Sequence, residues 1–123
     1  MDFPHNMLPG SLELAYIGDA VYELYVRKAL LGSGEHVRSL HKKAIQLVCC
    51  EAQAKALESI EPVLSEEESN IVRRARNAHQ SPPKRANAAD YHKATALEAL
   101  IGYLYLTNQT ERIDTLFKLA ITL

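Results

Sequence analysis

Two stretches of the chain place an acidic residue and a glycine inside a run of apolar residues. In YIGDAVYELYV, Asp19 follows Gly18; in ATALEALIGYLYL, Glu98 is the only charged residue and Gly102 lies one turn beyond it. A buried carboxylate is costly unless it is paired, and glycine in a helix interior costs about 1 kcal/mol relative to alanine. Because both stretches combine these two unfavourable features, we infer that the positions have a role besides packing in the core.

The spacing of these residues predicts a shared site. If two helices cross at Gly18 and Gly102, their backbones approach closely and the carboxylates of Asp19 and Glu98 face one space. Two adjacent carboxylates repel, so one takes a proton or a cation joins them, and oxygen ligands of this kind suit Mg²⁺ or Mn²⁺. The alternative is structural pairing of each acid with a tyrosine or an arginine, and spacing alone leaves both interpretations open.

A second candidate site is a basic segment. No acidic residue occurs from Ser69 to Ala89, whereas the formal net charge of the chain is −1, so only this part favours a polyanion. The alternative is that basic residues at a helix C-terminus complement the helix dipole and are otherwise only solvated. The candidate nucleic-acid contacts are Arg73, Arg74, Arg76, Asn77, Lys84 and Arg85.

The elements that must position these residues are all predicted to be helical, because no alternating strand pattern bounded by turns is present. Pro82 and Pro83 exclude helix from the loop 79–90, and Ser11 and Ser65 are plausible N-caps. The sequence therefore predicts an all-α fold with one domain over 1–123, in which 1–10 is an irregular lead-in. The predicted helices are 12–31, 37–59, 65–78, 91–106 and 110–121.

The composition indicates the type of domain and the compartment in which the protein is expected to occur. The chain has 123 residues, of which 47% are hydrophobic and 24% charged, as is ordinary for a globular domain. A domain of this size can bury a core without disulfides or metal ions to stabilise it. We expect neither a signal peptide nor a membrane span. Cys49 and Cys50 are sequence neighbours, which makes a poor disulfide and favours a reducing cytoplasm.

The first predicted helix is apolar on nearly all sides, a pattern typical of a helix that is buried or lies in a subunit interface. Asp19 shares a face with Leu12, Tyr16 and Tyr22. We therefore expect Asp19 not to be a solvated surface charge.

The two motifs resemble the ribonuclease III family. LAYIGDAVYELYVR is similar to its signature helix, with Gly-Asp-Ala at the centre, and ALEALIGYLYL is similar to its second catalytic helix, in the family's order and separation. The stretches LHKKAIQLV, AQAKAL and RRARNAH resemble one branch, the Mini-ribonuclease III proteins. The resemblance covers roughly 11–110.

The resemblance implies a ribonuclease III-type helical endonuclease domain without a double-stranded-RNA-binding domain. It implies a homodimer that uses Mg²⁺, with Mn²⁺ able to substitute, and no organic cofactor. The expected activity is cleavage of double-stranded RNA to give 5′-phosphates, in maturation of the 23S ribosomal RNA precursor ends. The implied catalytic residues and metal ligands are Asp19 and Glu98.

The chain departs from the wider family at two positions. Where full-length members carry further carboxylates, four residues before the aspartate and three before the glutamate, this sequence has Ala15 and Thr95. The number of bound metal ions is therefore open. The competing hypotheses are a non-catalytic double-stranded-RNA-binding module on the same fold and a helical scaffold that binds protein alone.

Overall fold

The computed structural model describes residues 7–78 and 81–121, which form helices joined by short connections. Over these ranges the chain contains no strand, which confirms the predicted all-α fold. The helices are α1 (Ser11–Leu30), α2 (Val37–Val48), α3 (Cys50–Ile60), α4 (Glu66–Arg76), α5 (Ala88–Leu106) and α6 (Thr110–Ala120), with a single 3₁₀ turn at Glu61–Val63 between α3 and α4.

Helix α5 is the centre of the fold and packs against α1, α3, α4 and α6. It is buried along most of its length, from Ala94 to Leu104 apart from the half-buried Glu98. An α-helix that is apolar on all sides must be surrounded by others. Glu98 is therefore presented from the best-packed element of the molecule.

Helices α1 and α5 are antiparallel and touch through their backbones. A Cβ atom added to Gly18 would lie 1.6 Å from the carbonyl oxygen of Glu98, and one added to Gly102 would lie 2.0 Å from the carbonyl oxygen of Leu14. Any side chain at these two positions would push the helices apart. The close crossing predicted from the two glycines is what the structure shows.

The predicted helix 37–59 is wrong in one respect, because it is two helices. Cys49 separates α2 from α3 with an extended backbone (φ −66°, ψ 158°), while its own N–H still bonds to the carbonyl of Ile45. The break lets α2 pack against α1 while α3 packs against α5, which one straight rod could not do.

The ends of two other helices also differ from the prediction. Helix α1 begins at Ser11 with Gly10 as its N-cap and no side-chain cap. Helix α5 begins at Ala88 rather than 91, because the side chain of Asn87 caps it by accepting a hydrogen bond from the Asp90 N–H at 3.1 Å. The predicted loop 79–90 is therefore shorter, and its first two residues lie outside the described ranges.

An ion pair between the buried Glu68 and the half-buried Arg112 joins α4 to α6. The Nε and Nη2 of Arg112 donate to both carboxylate oxygens of Glu68 at 2.9 Å, and Nη2 also donates to the Val63 carbonyl at 2.9 Å. Glu68 accepts a further bond from the Ser65 N–H at 2.8 Å, completing a capping box. Burial would raise the pKa of Glu68, but the hydrogen bonds from Arg112 and Ser65 outweigh it and the pKa lies below its ordinary value.

Across the described ranges, no helix is long and apolar enough to cross a membrane. Cys49 and Cys50 are both free thiols.

Candidate functional site

An open cleft of about 330 Å³ lies at the two acidic motifs, between α1, α3 and α5. Asp19 and Glu98 both line it, one from each side of the glycine crossing. The wall is completed by Leu12, Ala15, Tyr16, Val48, Cys50, Gln53, Tyr91, Ala94 and Thr95.

The carboxyl groups of Asp19 and Glu98 lie close together in the cleft. Burial first, and then the neighbouring carboxyl group of Asp19, raise the pKa of Glu98 to about 8, while the amide of Gln53 opposes the shift. The pair therefore holds one proton near neutral pH, as two carboxyl groups in contact do. A divalent cation is the natural replacement for that proton.

The two acids differ in exposure, which corrects one expectation. Glu98 is half-buried, but Asp19 is exposed, so the prediction that Asp19 is not a solvated charge is wrong for the single chain. The reason is that the face of α1 beyond the glycine crossing remains open, with Tyr16 85% exposed beside the cleft.

The oxygen atoms in the cleft fit a hard divalent cation better than a softer metal. No group of three or more histidine, cysteine, aspartate or glutamate side chains occurs in the ranges 7–78 and 81–121. What the cleft offers is two carboxyl groups and the neutral oxygens of Thr95 and Gln53. Such a donor set suits Mg²⁺ or Mn²⁺, which keep several waters and use few protein ligands.

The positions that carry carboxylates in the wider family are both on the cleft wall. Ala15 adds no oxygen. The hydroxyl of Thr95 donates to the Tyr91 carbonyl at 3.0 Å, so its oxygen can still accept a hydrogen bond from a group in the cleft.

The basic residues predicted to contact RNA end α4 and continue beyond it. Arg73, Arg74 and Asn77 are exposed, and Arg76 is half-buried with its guanidinium 3.7 Å from Glu61. Lys84 and Arg85 are exposed on the loop that leads into α5, whose first turns line the cleft. The structure therefore leaves five of the six side chains on the surface and pairs the sixth.

Two polar side chains lie near Glu98. Sequence reasoning missed Gln53, which is 2% exposed and lines the cleft. Tyr22, predicted on the same face as Asp19, is 1% exposed, and its hydroxyl has no hydrogen-bond partner among the residues that the structure describes. Burial, and secondarily the charge of Glu98, raise the pKa of Tyr22. Gln53 could have been found, because it falls on the stripe of α3 formed by Ala56, Leu57 and Ile60, where a polar residue is out of place.

Comparison with known proteins identifies the class. The model of the Ribonuclease III domain matches residues 12–109. The chain is 46% identical over 111 residues to the Mini-ribonuclease 3 of Symbiobacterium thermophilum, covering 89% of this chain and 85% of that protein. It is 44% identical over 115 residues to the Mini-ribonuclease 3 of Clostridium tetani, covering 91% and 76%.

A solved structure has the same fold. The crystal structure of protein FN1578 from Fusobacterium nucleatum superposes with a TM-score of 0.85 at 36% identity, covering 91% of this chain and 93% of the other. The chain belongs to the ribonuclease III family, whose members are endoribonucleases that use a divalent metal. Its similarity to the Mini-ribonuclease 3 proteins over most of its length places it in that branch.

Proposed function

We propose that the chain cleaves both strands of double-stranded RNA in a Mg²⁺-dependent reaction, with Mn²⁺ able to substitute, and leaves 5′-phosphates. The observation that carries the proposal is the pair of neighbouring carboxyl groups, Asp19 and Glu98, in one open cleft. As catalytic residues and metal ligands, these two side chains would hold the cation from α1 and α5. When bound there, the cation would supply Lewis-acid chemistry, since it neutralises phosphate charge and acidifies water.

The remaining groups of the cleft orient the reactants. Asp19 is exposed, so its carboxylate faces the side from which a phosphodiester approaches, while the half-buried Glu98 sits behind it. The oxygen of Thr95, with its own hydrogen committed to the Tyr91 carbonyl, can accept a hydrogen from the attacking water. Hydrolysis with the 3′ oxygen as leaving group gives a 3′-hydroxyl and a 5′-phosphate.

The duplex is gripped by the basic side chains around the entry to α5. A-form RNA is recognised mainly through its shape, phosphates and 2′-hydroxyls. Arg73, Arg74, Lys84 and Arg85 are exposed and supply positive charge for phosphates. Asn77 and Arg76 complete the RNA-binding set, and Arg76 must exchange its contact with Glu61 for a phosphate.

The chain acts as a homodimer. Leu12 and Tyr16 on α1 are 40% and 85% exposed, and they line an apolar groove together with Pro9, Ile17 and Leu106. An exposed apolar surface of this kind marks an interaction site. A two-fold dimer presents two identical clefts, so one dimer can cut both strands of one duplex.

The substrate we propose is the 23S ribosomal RNA precursor, trimmed at its 5′ and 3′ ends in the bacterial cytoplasm. The support is the similarity to the Mini-ribonuclease 3 proteins over most of the chain. The two free thiols agree with a reducing compartment.

One observation favours a second candidate, a non-catalytic module that binds double-stranded RNA. The described ranges hold no cluster of three or more metal-ligating side chains, and Ala15 and Thr95 stand where the wider family has acids. This candidate predicts that the chain binds a duplex and leaves it intact at any divalent-metal concentration.

The deciding experiment compares the parent protein with Asp19→Asn on a blunt RNA duplex in Mg²⁺ or Mn²⁺. We expect the parent to cut both strands and EDTA to stop the reaction. Asp19→Asn should bind the duplex as the parent does but lower the cleavage rate by more than roughly 100-fold, which exceeds the usual effect of removing a hydrogen-bond partner of a metal ligand. Glu23→Gln is the control, because Glu23 lies on the same helix but pairs with Arg27 at 3.1 Å. Equal cleavage by Asp19→Asn and parent would refute the catalytic assignment, and binding without cleavage by the parent would establish the module.

A further inference from the structure

The side chain of Gln53 is buried in the wall of the cleft that holds the carboxyl pair. It is 2% exposed, yet it is polar and lies among the apolar residues of α3. A buried amide without a hydrogen-bond partner is costly. The groups around the Gln53 amide therefore indicate its role.

The start of α3 brings Gln53 to the cleft. Because Cys49 is extended, α3 begins afresh at Cys50, and the Gln53 N–H bonds to the Cys49 carbonyl at 2.9 Å in the first turn of the helix. Helix α3 packs directly on α5. The amide of Gln53 lines the same cleft as the carboxyl group of Glu98 and opposes the rise in its pKa, as a nearby hydrogen-bond donor does.

Two neighbours therefore flank the Glu98 carboxyl group in the cleft, Asp19 from α1 and Gln53 from α3. A glutamate side chain has several rotatable bonds and costs up to about 2 kcal/mol to hold in one arrangement. A hydrogen bond donated by the Gln53 amide would hold Glu98 facing Asp19 without adding a negative charge to the pair.

We propose that Gln53 is a positioning residue of the active site, which orients the Glu98 carboxylate for divalent-cation binding through the amide hydrogen bond. The inference rests on the proposed role of Glu98 as a metal ligand. Partners of metal-ligating side chains commonly act in this way, and their loss lowers metal affinity or activity by 10- to 100-fold.

The test replaces the amide with a side chain of similar size that cannot donate, Gln53→Met. Two quantities are measured: the Kd of Mn²⁺ for the RNA-free protein by isothermal titration calorimetry, and the Mg²⁺ concentration for half-maximal duplex cleavage. We expect both to rise by roughly 10- to 100-fold, with the KM for RNA at saturating Mg²⁺ unchanged. A merely structural role would not separate metal dependence from RNA affinity in this way.

Tyr22→Phe is the matched control. It removes a buried hydroxyl near Glu98 that has no hydrogen-bond partner within the ranges 7–78 and 81–121, so we expect the same Mn²⁺ Kd as the parent. Should Gln53→Met fail to fold, Gln53→Asn keeps the amide but draws it back from Glu98 by one methylene and carries the same expectation. An unchanged Mn²⁺ Kd and Mg²⁺ midpoint in the folded variant would overturn the proposal.

Failure of this inference is distinguishable from failure of the proposed function. If Asp19→Asn and Glu98→Gln abolish Mn²⁺ binding while Gln53→Met does not, only the role of Gln53 is wrong. If Asp19→Asn and Glu98→Gln bind Mn²⁺ as the parent does, the metal site itself is wrong, and the role of Gln53 is overturned with it.

Discussion

The backbone of Gly18 lies directly against the backbone carbonyl of Glu98, so close that one added methyl carbon would come within 1.6 Å of that oxygen. Asp19 is the next residue along α1. The spacing between the two carboxyl groups is therefore determined by main-chain contact between α1 and α5. This relationship explains why glycine accompanies the acid in both motifs.

Gly18→Ala should separate α1 from α5 and lower both stability and cleavage. The added Cβ meets backbone atoms that cannot rotate away, and overpacking of this kind costs about 3 kcal/mol or more, which exceeds the gain of about 1 kcal/mol from helix propensity. Urea unfolding measures the loss. Gly10→Ala, whose Cβ would meet only the Glu13 carboxylate at 3.8 Å, is the control and should change stability by less than about 1 kcal/mol. Equal stability of the two variants would contradict the close crossing.

Glu98→Gln should stabilise the metal-free protein at high pH and not at low pH. The pKa of Glu98 is raised to about 8 from 4.5, so the folded state keeps a proton that the unfolded chain releases. The free energy of unfolding of the parent therefore falls as pH rises through this window. We expect an advantage for Glu98→Gln of roughly 1–3 kcal/mol at pH 8, absent at pH 4, by urea unfolding in EDTA. Parallel pH profiles would show that the carboxyl pair shares no proton.

Arg112→Met should destabilise the protein by about 3 kcal/mol, because it leaves the buried carboxylate of Glu68 without its partner. Thermal or urea unfolding reports the change. Lys55→Met breaks an exposed pair with Glu51 and should cost less than about 1 kcal/mol. If Arg112→Met lowers the free energy of unfolding by no more than Lys55→Met does, the ion pair of Glu68 does not stabilise the contact between α4 and α6.

The double variant Lys84→Gln/Arg85→Gln should weaken duplex binding without regard to sequence. If each residue contacts a phosphate, the slope of log affinity against log salt concentration falls by about 2. Fluorescence anisotropy of Asp19→Asn with labelled duplex RNA measures binding without cleavage. Lys118→Gln, on α6 away from the cleft, is the control. An unchanged salt slope would remove Lys84 and Arg85 from the interface.

Tyr22→Phe should leave the protein as stable as the parent or more stable by about 1 kcal/mol, since the lost hydroxyl is buried without a partner. The ring contact with Phe117, edge-on at 5.8 Å between centroids, is kept. Denaturant unfolding decides the sign. A clear destabilisation would reveal a hydrogen bond that the hydroxyl makes in solution.

The sequence predicted the elements that carry the site better than their surroundings. Gly18 and Gly102 predicted the close crossing of α1 and α5, because glycine is unfavourable inside an apolar helix unless two backbones meet there. The acids near these glycines predicted the position of the cleft. The break at Cys49 gave no comparable signal, since neither glycine nor proline marks it and it follows from packing of α2 and α3 on different partners. Gln53 did carry a signal, as a polar residue on the apolar stripe of α3, but its place in the cleft depends on that break.

The hydrophobic periodicity of the first helix also failed to predict that Asp19 is exposed. A helix apolar on most sides was expected to cover the aspartate, but the face that carries Leu12 and Tyr16 is left uncovered in the single chain. Periodicity shows which residues share a face and cannot distinguish burial within one chain from burial between two.

The glycine crossing has a consequence for how this enzyme can be altered. A distance set by main-chain contact is indifferent to the identity of the surrounding side chains. The wall of the cleft and the loop that leads into α5 can therefore be altered while the separation between Asp19 and Glu98 stays as it is. In this small scaffold, the lining of the cleft and the spacing of its two acids are independently adjustable.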